Sequence, residues 1–564
     1  MKWFPIVFFI LIITLNSWGQ SAYVPLNPDY YRLLDRYEIK SGELTSSYFT
    51  TFKPYRRNQV AEFINSEFDT TRLSASDQFN LDYLEIDNWE FTKSGKSASE
   101  KPLLKKLYRN KSDLIDVDVK DFDLHLNPVI YLSVGNDSDS DPRPFINTRG
   151  IQLRGRIDEK IAFYSFIGEN QAVFPFYGQE YVLSQGAVPN QGFWKEFNNR
   201  GVDFFTARGY IDFNASRHIN VQFGHDKNFI GNGIRSMFLS DFSSNYFFLK
   251  FTTQVWRLNY TNLFAELIAE APFTSLGGAD AGSLGTKRFP KKYMALHHLS
   301  INITDNFNVG LFESTIFANQ DSVGGGFEIN YLNPIIFYRG IEQHVGSPDN
   351  VVVGMDFKWN LRRNWSFYGQ ILLDELIVDE LLQGSGWWGN KIAGQIGFKY
   401  IDAFGVDNLD LQGEYNFARP FTYAHDDSLT NYTHYRQPLA HPLGANFREL
   451  IGIATYQPIP RLTFSGKFIF ADQGKNPTGD NVGADVLISY NNRSRDFDHT
   501  IGQGVNTVLS FFDFTASYQL KHNLFLDFKQ VLRDFDSDIR ANDVFSAYTA
   551  LSIRLNVAQR LLDF

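Results

Sequence analysis

Cysteine is absent from all 564 residues. That excludes a disulfide framework, a thiolate metal site and a lipid-modified cysteine at a cleavage point. A basic excess is absent too: 53 Lys and Arg stand against 63 Asp and Glu, a formal net charge of −10. Nucleic-acid binding needs clustered positive charge, so that class of partner is excluded. Beyond the first 20 residues there is no long uncharged apolar run, which excludes membrane-spanning helices in the mature chain. What the chain does have is aromatic residues, at 16% with 54 Phe and 28 Tyr, in a sequence whose mean hydropathy is only −0.27. High aromatic content, low hydropathy and period-2 alternation together describe a transmembrane β-barrel, in which lipid-facing and lumen-facing residues average out.

The alternation is plainest in VVVGMDFKWNLRRNWSFYGQILL, residues 351–373. Val351, Val353, Met355, Phe357 and Trp359 share one face, and Asp356, Lys358 and Asn360 share the other. The apolar phase resumes at Trp365 after Leu361-Arg362-Arg363, the pattern of a hairpin. The apolar face is expected to meet lipid and the polar face a hydrated lumen. Trp359 and Trp365 flank the turn, where an interfacial aromatic girdle belongs.

Similar short turns recur at Asp158-Glu159-Lys160, Ala215-Ser216-Arg217, Thr304-Asp305-Asn306 and Lys521-His522-Asn523. In each, the apolar phase matches across a loop of about three residues, as a tight hairpin demands. Long polar connections alternate with them. Strands are expected to start near 122, 150, 161, 202, 219, 246, 255, 293, 307, 351, 365, 391, 409, 448, 462, 506, 524 and 545. That makes roughly eighteen antiparallel strands over 122–564, with short turns in the periplasm and long loops outside. Phe564 lies beyond the last alternating run and out of phase with it.

Residues 1–19 read as a signal peptide, with Lys2, an apolar stretch Phe4–Leu15 and Ser17-Trp18-Gly19 before Gln20. Residues 20–121 read as a small helical periplasmic or plug region. Tyr30, Leu33, Leu34 and Tyr37 share one helical face before Gly42. FKPYRRNQVAEFINS reads as a second helix with Pro54 near its start. LSASDQFNLDYLEID reads as a third, capped by Ser76 or Asp77.

Chemistry-bearing motifs are few. Asp137, Asp139 and Asp141 alternate in one loop, but Pro142 stands where a calcium loop needs Gly, and a solvated acidic loop is the better reading. His425, Asp426, Asp427, His434 and His441 fit no zinc spacing. His297-His298 reads as alternating out and in along a strand. Ser283 sits in a Gly-rich loop rather than at a strand-to-helix elbow. No catalytic residue, metal or cofactor is expected. The long loops instead combine rings with Asn, Asp and Gln, which suits sugar stacking and hydroxyl recognition, with ordinary loop packing as the alternative. The rings expected to be most exposed are Trp194, Trp387, Trp388 and Tyr423.

Three segments carry a family resemblance: GHDKNFIGNGIRSMFLSDFSSNYFFLKF, YLNPIIFYRGIEQHVGSPDNVVVGMDFKWN and YVPLNPDYYRLLDRYEIKSG. They resemble the Wzi-like outer-membrane barrel proteins of Bacteroidota, in particular the gliding-motility group called RemB. The motif that carries the likeness is Gly231-Asn232-Gly233 with Ser236, Leu239, Ser240 and Asp241. Asn228-Phe229 stands where the pattern has Trp-Trp. The resemblance implies an eighteen-stranded barrel with a helical periplasmic bundle. It also implies a non-enzymatic role at the cell surface, in gliding motility or capsular polysaccharide attachment. The implied partners are outer-membrane lipid, surface polysaccharide and motility or envelope proteins. A transport porin and an outer-membrane hydrolase are the alternatives. The first calls for an unobstructed lumen, the second for a nucleophile, base and oxyanion donors at one rim.

Overall fold

A computed structural model describes residues 20–65, 73–92, 95–140, 142–198, 200–269, 290–318, 328–334 and 349–564. The signal peptide, Asp141 and Ser283 lie outside the described residues. Among those described, eighteen antiparallel strands close a barrel. They are β1 Phe122–Asp137, β2 Phe145–Ile157, β3 Ile161–Val173, β4 Gly201–Asn214, β5 Ile219–Asp226 and β6 Tyr246–Val255. Then follow β7 Leu258–Ile268, β8 Lys291–Thr304, β9 Phe307–Phe317, β10 Asn350–Leu361, β11 Trp365–Glu375 and β12 Lys391–Tyr400. The last six are β13 Leu409–Ala418, β14 Phe447–Ile459, β15 Leu462–Lys475, β16 Val505–Lys521, β17 Leu524–Ser537 and β18 Val544–Leu555. Closure is antiparallel between β18 and β1, with Leu555 opposite Ile130 and Ser552 opposite Ser133. A closed sheet leaves no unpaired edge in hydrocarbon. This is an outer-membrane barrel.

Short and long connections alternate as the hairpin phase requires. At the tight turns Asp158, Glu159, Arg362 and Arg363 all have φ between 50° and 62°. Two successive left-handed residues match the strand twist, here without the usual Asn-Gly pair. Along β10 the outward Met355 and Trp359 are 48% and 40% exposed, while the inward Asp356, Lys358 and Asn360 are at most 2% exposed. Beside the turn, Trp365 stacks on Tyr400 with ring centroids 4.0 Å apart. Part of the outward face is covered by protein, where Tyr331 stacks on Phe317 of β9 and packs with Phe264 and Tyr293. His298 points inward to Asp356 at 2.7 Å, and His297, facing out beneath this cover, meets the Tyr260 hydroxyl at 2.8 Å.

The expectation of a hydrated lumen needs correction, because over much of its height the inward polar face is covered by other parts of the chain. Three stretches of chain fill it. The first is the helical region, with α1 Pro28–Ser41, α2 Arg57–Asn65 and α3 Ala75–Asp87. Asn27 caps α1 and Gly42 ends it at φ 82°. Pro54 precedes α2 rather than starting it. The α3 cap is Ser74, which forms a reciprocal capping box with Asp77; the expected caps were two and three residues too late. The bundle seats on the short turns: Leu44 N donates to Asp305 O at 2.6 Å, and Asn80 bonds Gln457 at 2.7 Å.

Its docking is ionic. Arg36, 2% exposed, binds Asp77 at 2.8 Å, Asp402 at 2.5 Å and also Asp410. Lys40 bridges Asp77 and Asp402 at 2.9 and 2.8 Å. Burial alone would raise the Asp77 carboxyl; the Arg36 and Lys40 cations overcome it and hold it down at about 2. Lys358 of β10 is paired with Glu38 of α1, both about 1% exposed.

The second stretch is 227–245, between β5 and β6. Its Phe229-Ile230 pairs with Phe52-Lys53 of the helical region as a two-stranded sheet. The third is 556–564, which leaves β18 and climbs inside the barrel. Asp563 there binds Lys467 of β15 at 2.6 Å and Arg235 at 3.3 Å, and Phe564 packs on Tyr181 with centroids 4.5 Å apart.

Two variants test the faces. Phe357→Arg places a cation on the lipid side and is expected to destabilise the barrel by about 2–4 kcal/mol if it lies near the midplane, read as loss of the heat-modifiable band on gels. Lys358→Met strands a buried Glu38 carboxylate and is expected to cost about 3–5 kcal/mol. Adding Glu38→Gln should recover most of that loss in thermal unfolding of the purified protein.

Candidate functional site

At the long-loop end, three connections interlock. The chain 376–390 between β11 and β12 carries a short helix, α4 Val378–Gln383, ended by Gly384 at φ 65°. Trp387 and Trp388 follow it. The chain 476–504 between β15 and β16 pairs with this loop through backbone bonds. Trp388 N donates to Asp496 O at 2.9 Å, Asp498 N to Ser385 O at 3.0 Å and His499 N to Gly386 O at 2.8 Å. The third connection, 419–446 between β13 and β14, joins through Phe421 N to Gly483 O at 2.8 Å and Arg419 Nε to Asn390 O at 2.7 Å.

The result is an aromatic platform at the rim. Trp388 lies 5.7 Å from Trp387 and 4.7 Å from Tyr490 between ring centroids. The Arg493 guanidinium sits 3.9 Å from the Trp388 ring centre, a cation–π contact. Lys391 Nζ lies 4.5 Å from the Tyr490 ring centre and binds Asp374 at 3.2 Å. Both tryptophans are partly buried; Trp388 is engaged by Tyr490 and Arg493, whereas Trp387 leans over Gly389, where a Cβ would fall 2.3 Å from its ring. Around the rings stand Asp426, paired with His425 at 2.7 Å, and Asp496, paired with Arg493 at 2.7 Å. Flat rings edged by carboxylates and a guanidinium can stack on the C–H face of a sugar and bond its hydroxyls.

Two of the four rings expected to be exposed are buried. Trp194 is 3% exposed, its Nε1 donating to Gly186 O at 3.0 Å. Tyr423 is 1% exposed and its hydroxyl donates to Met237 O at 2.8 Å. Both are loop anchors: each has a polar tip that finds a backbone carbonyl inside the mouth. Tyr490 and Arg493 join the platform without having been singled out by sequence. Neither belongs to a recognisable motif, and only loop pairing brings each to the tryptophans.

The motif Gly231-Asn232-Gly233 lies inside the barrel, in the luminal stretch. Ser236, fully buried, donates to Ile230 O at 2.5 Å and accepts from Phe238 N and Leu239 N. At Gly233 a Cβ would fall 2.3 Å from a Glu414 carboxylate oxygen, which accepts from Ile234 N at 2.7 Å. Leu239 is buried in the apolar core and Ser240 Oγ donates to Ala440 O at 2.5 Å. Asp241 is the exposed member of the set. These residues fold the plug.

The remaining motifs do not assemble. Asp137 accepts from Phe176 N and Ser546 Oγ, at 2.8 and 2.7 Å. His425 meets Thr430, His434 meets Ile268 N and His441 meets Glu449. Among the described residues no group of three or more His, Asp or Glu is placed to hold a metal ion.

No family model matches this chain, and no curated protein does. Among solved structures the fold is similar to Wzi of Escherichia coli, an outer-membrane protein involved in group 1 capsule assembly and a carbohydrate-binding β-barrel. The TM-score is 0.56 at 12% identity, over 96% of this chain and 100% of that one. OprD of Pseudomonas aeruginosa also aligns, at a TM-score of 0.42 and 11% identity, over 76% of this chain and 94% of that one. At these identities the likeness is one of fold.

The loop pairing turns on Gly386. Its φ is 65°, and a Cβ would fall 2.7 Å from His499 N. Gly386→Ala is therefore expected to cost about 1–2 kcal/mol in backbone strain alone. It should part the two loops, seen as faster proteolysis within 376–390 and 476–504 while the barrel stays heat-modifiable.

Proposed function

We propose that this protein is a plugged outer-membrane barrel that binds surface polysaccharide at its long-loop rim and does no chemistry on it. The observation that carries this reading is a contrast between the two parts of the interior. Plug segments occupy the lumen, whereas the rim presents Trp387 beside Trp388, Tyr490 and Arg493. A pore needs an open path, and a binding surface needs rigid, partly exposed rings. The carbohydrate binding of Wzi, at the same fold, supports it. In this reading the short turns and the helical region 20–121 face the periplasm and the long loops face outward. The cellular role is attachment of capsular or other surface polysaccharide, with gliding motility as the process such attachment would serve.

Each ring contributes modestly to a sugar, and repeated weak contacts along a polymer add through multivalency. Trp387→Ala is expected to lower retention of purified surface polysaccharide several-fold at unchanged barrel abundance. Trp194→Phe, away from the rim surface, should leave it unchanged. Equal retention in both variants would sink the platform as the binding surface. The porin reading predicts a large steady conductance for the full-length protein in planar bilayers. The plugged reading expects low conductance that rises when 20–121 is removed.

A further inference from the structure

Between the helical bundle and the rim lies a luminal cavity of about 530 Å³. Its wall is rich in cations, and many have carboxylate partners: Arg57 binds Asp87 at 2.8 Å, Arg235 binds Glu449 at 3.1 Å and Lys467 binds Asp563 at 2.6 Å. Four do not follow this pattern. Lys53 is 7% exposed and meets only ring faces, Phe229 at 5.0 Å and Tyr31 at 5.7 Å. Lys227 Nζ donates to two backbone carbonyls, Asn190 O at 2.8 Å and Asp241 O at 2.9 Å. Arg560, from the segment that climbs the lumen, donates to Thr148 Oγ1 at 3.3 Å and to Asn170 Oδ1. Arg208 lies 4.3 Å from the Phe166 ring centre, with Asp226 3.9 Å away as its nearest carboxylate and its Nε unbonded. Among the described residues Lys53, Lys227 and Arg560 have no carboxylate within 4.0 Å.

Lys53 is buried and the other three are partly so; cations withdrawn from water without a counter-charge are costly, and proteins pair them or neutralise them. Here burial pulls both the Lys53 and the Lys227 amines down to about 8, which leaves them mainly protonated at neutral pH. Asp35 and Asp241 temper the field at Lys53, and Asp241 and Asp226 at Lys227, without contacting these ammonium groups. Lys227, Arg208 and Arg560, drawn from three separate pieces of chain, converge on one wall bordered by amides of Asn190 and Gln191, and Lys53 lines the same cavity. A volume of this size lies in the range of small-molecule sites and exceeds what a bare anion fills. We propose that this wall binds an oxyanion, a phosphate or carboxylate group, carried on a small polar solute such as a sugar. This site is separate from the rim platform and does not depend on polysaccharide binding there.

The test is calorimetric titration of the full-length protein in detergent with inorganic phosphate, glucose 6-phosphate and glucose at fixed ionic strength. Glucose 6-phosphate is expected to bind and glucose not. Arg560→Gln and Lys227→Gln should each weaken that binding at least tenfold, with Lys195→Gln, exposed and outside the cavity, as the control. Heat-modifiability reports that each variant is folded, and Arg560 lies outside the sheet, so its replacement leaves strand pairing intact. Phosphate binding as tightly as glucose 6-phosphate assigns the site to the free ion; tighter binding of glucose 6-phosphate assigns it to an anionic sugar. The proposal is overturned if neither anion binds at millimolar concentration, if glucose binds equally, or if both folded variants bind like the wild type. Trp387→Ala should leave this titration unchanged, which keeps the two sites experimentally distinct.

Discussion

A sheet of eighteen strands closed in hydrocarbon satisfies its own backbone, but it encloses a space wider than inward side chains can span. Either water fills that space or chain does. In this protein chain fills much of it, and the rest of the structure follows from how. The helical region enters from the short-turn end, residues 227–245 fold in between β5 and β6, and residues 556–564 climb from the end of β18. Each must meet a wall of inward polar residues dictated by the period-2 pattern. The contacts are therefore ionic and hydrogen-bonded as much as apolar. Arg36 between Asp77, Asp402 and Asp410, Lys358 with Glu38, and Asp563 between Arg235 and Lys467 are the joints.

Such joints set geometry more than they add stability, because each charge gives up its water to be there. Their value is positional. The luminal stretch is tied to the helical region through Phe52-Lys53 against Phe229-Ile230 and to the 419–446 connection through Tyr423 on Met237 and Ser240 on Ala440. That connection in turn braces the tryptophan loop through Arg419. The rim platform thus rests on the plug, and the plug rests on the short turns. A rigid scaffold beneath a loop surface is what lets a few partly exposed rings bind with little loss of loop entropy.

Much of this was legible in the sequence. Alternation placed all eighteen strands, most starts to within a residue or two, because a lipid-facing strand has no other way to write itself. The largest slip, at β2, arose where the run Asn147-Thr148-Arg149, polar on both faces, hides the strand start. Helical periodicity found α1 to α3, and the cap of α3 was misplaced because SASD offers several capping residues in a row. The site was read less well. Composition alone marks Trp194 and Tyr423 as surface rings, yet each has a carbonyl to satisfy within the mouth. Tyr490 and Arg493 carried no signal, and neither did the cations of the luminal wall, which are scattered from Lys53 to Arg560.

The sequence by itself determined the barrel: strand number, the lipid-facing side of each strand, the turns and the presence of a helical region. These are local, periodic properties, and each strand declares its two faces without reference to any other. Only the tertiary structure decided that the lumen is plugged, that 227–245 and 556–564 lie within it, and which rings reach the rim. Those outcomes depend on contacts between residues hundreds of positions apart, such as Arg235 with Asp563 or Lys358 with Glu38. No period in the chain records them, because a buried charge looks the same in sequence whether its partner is protein or water.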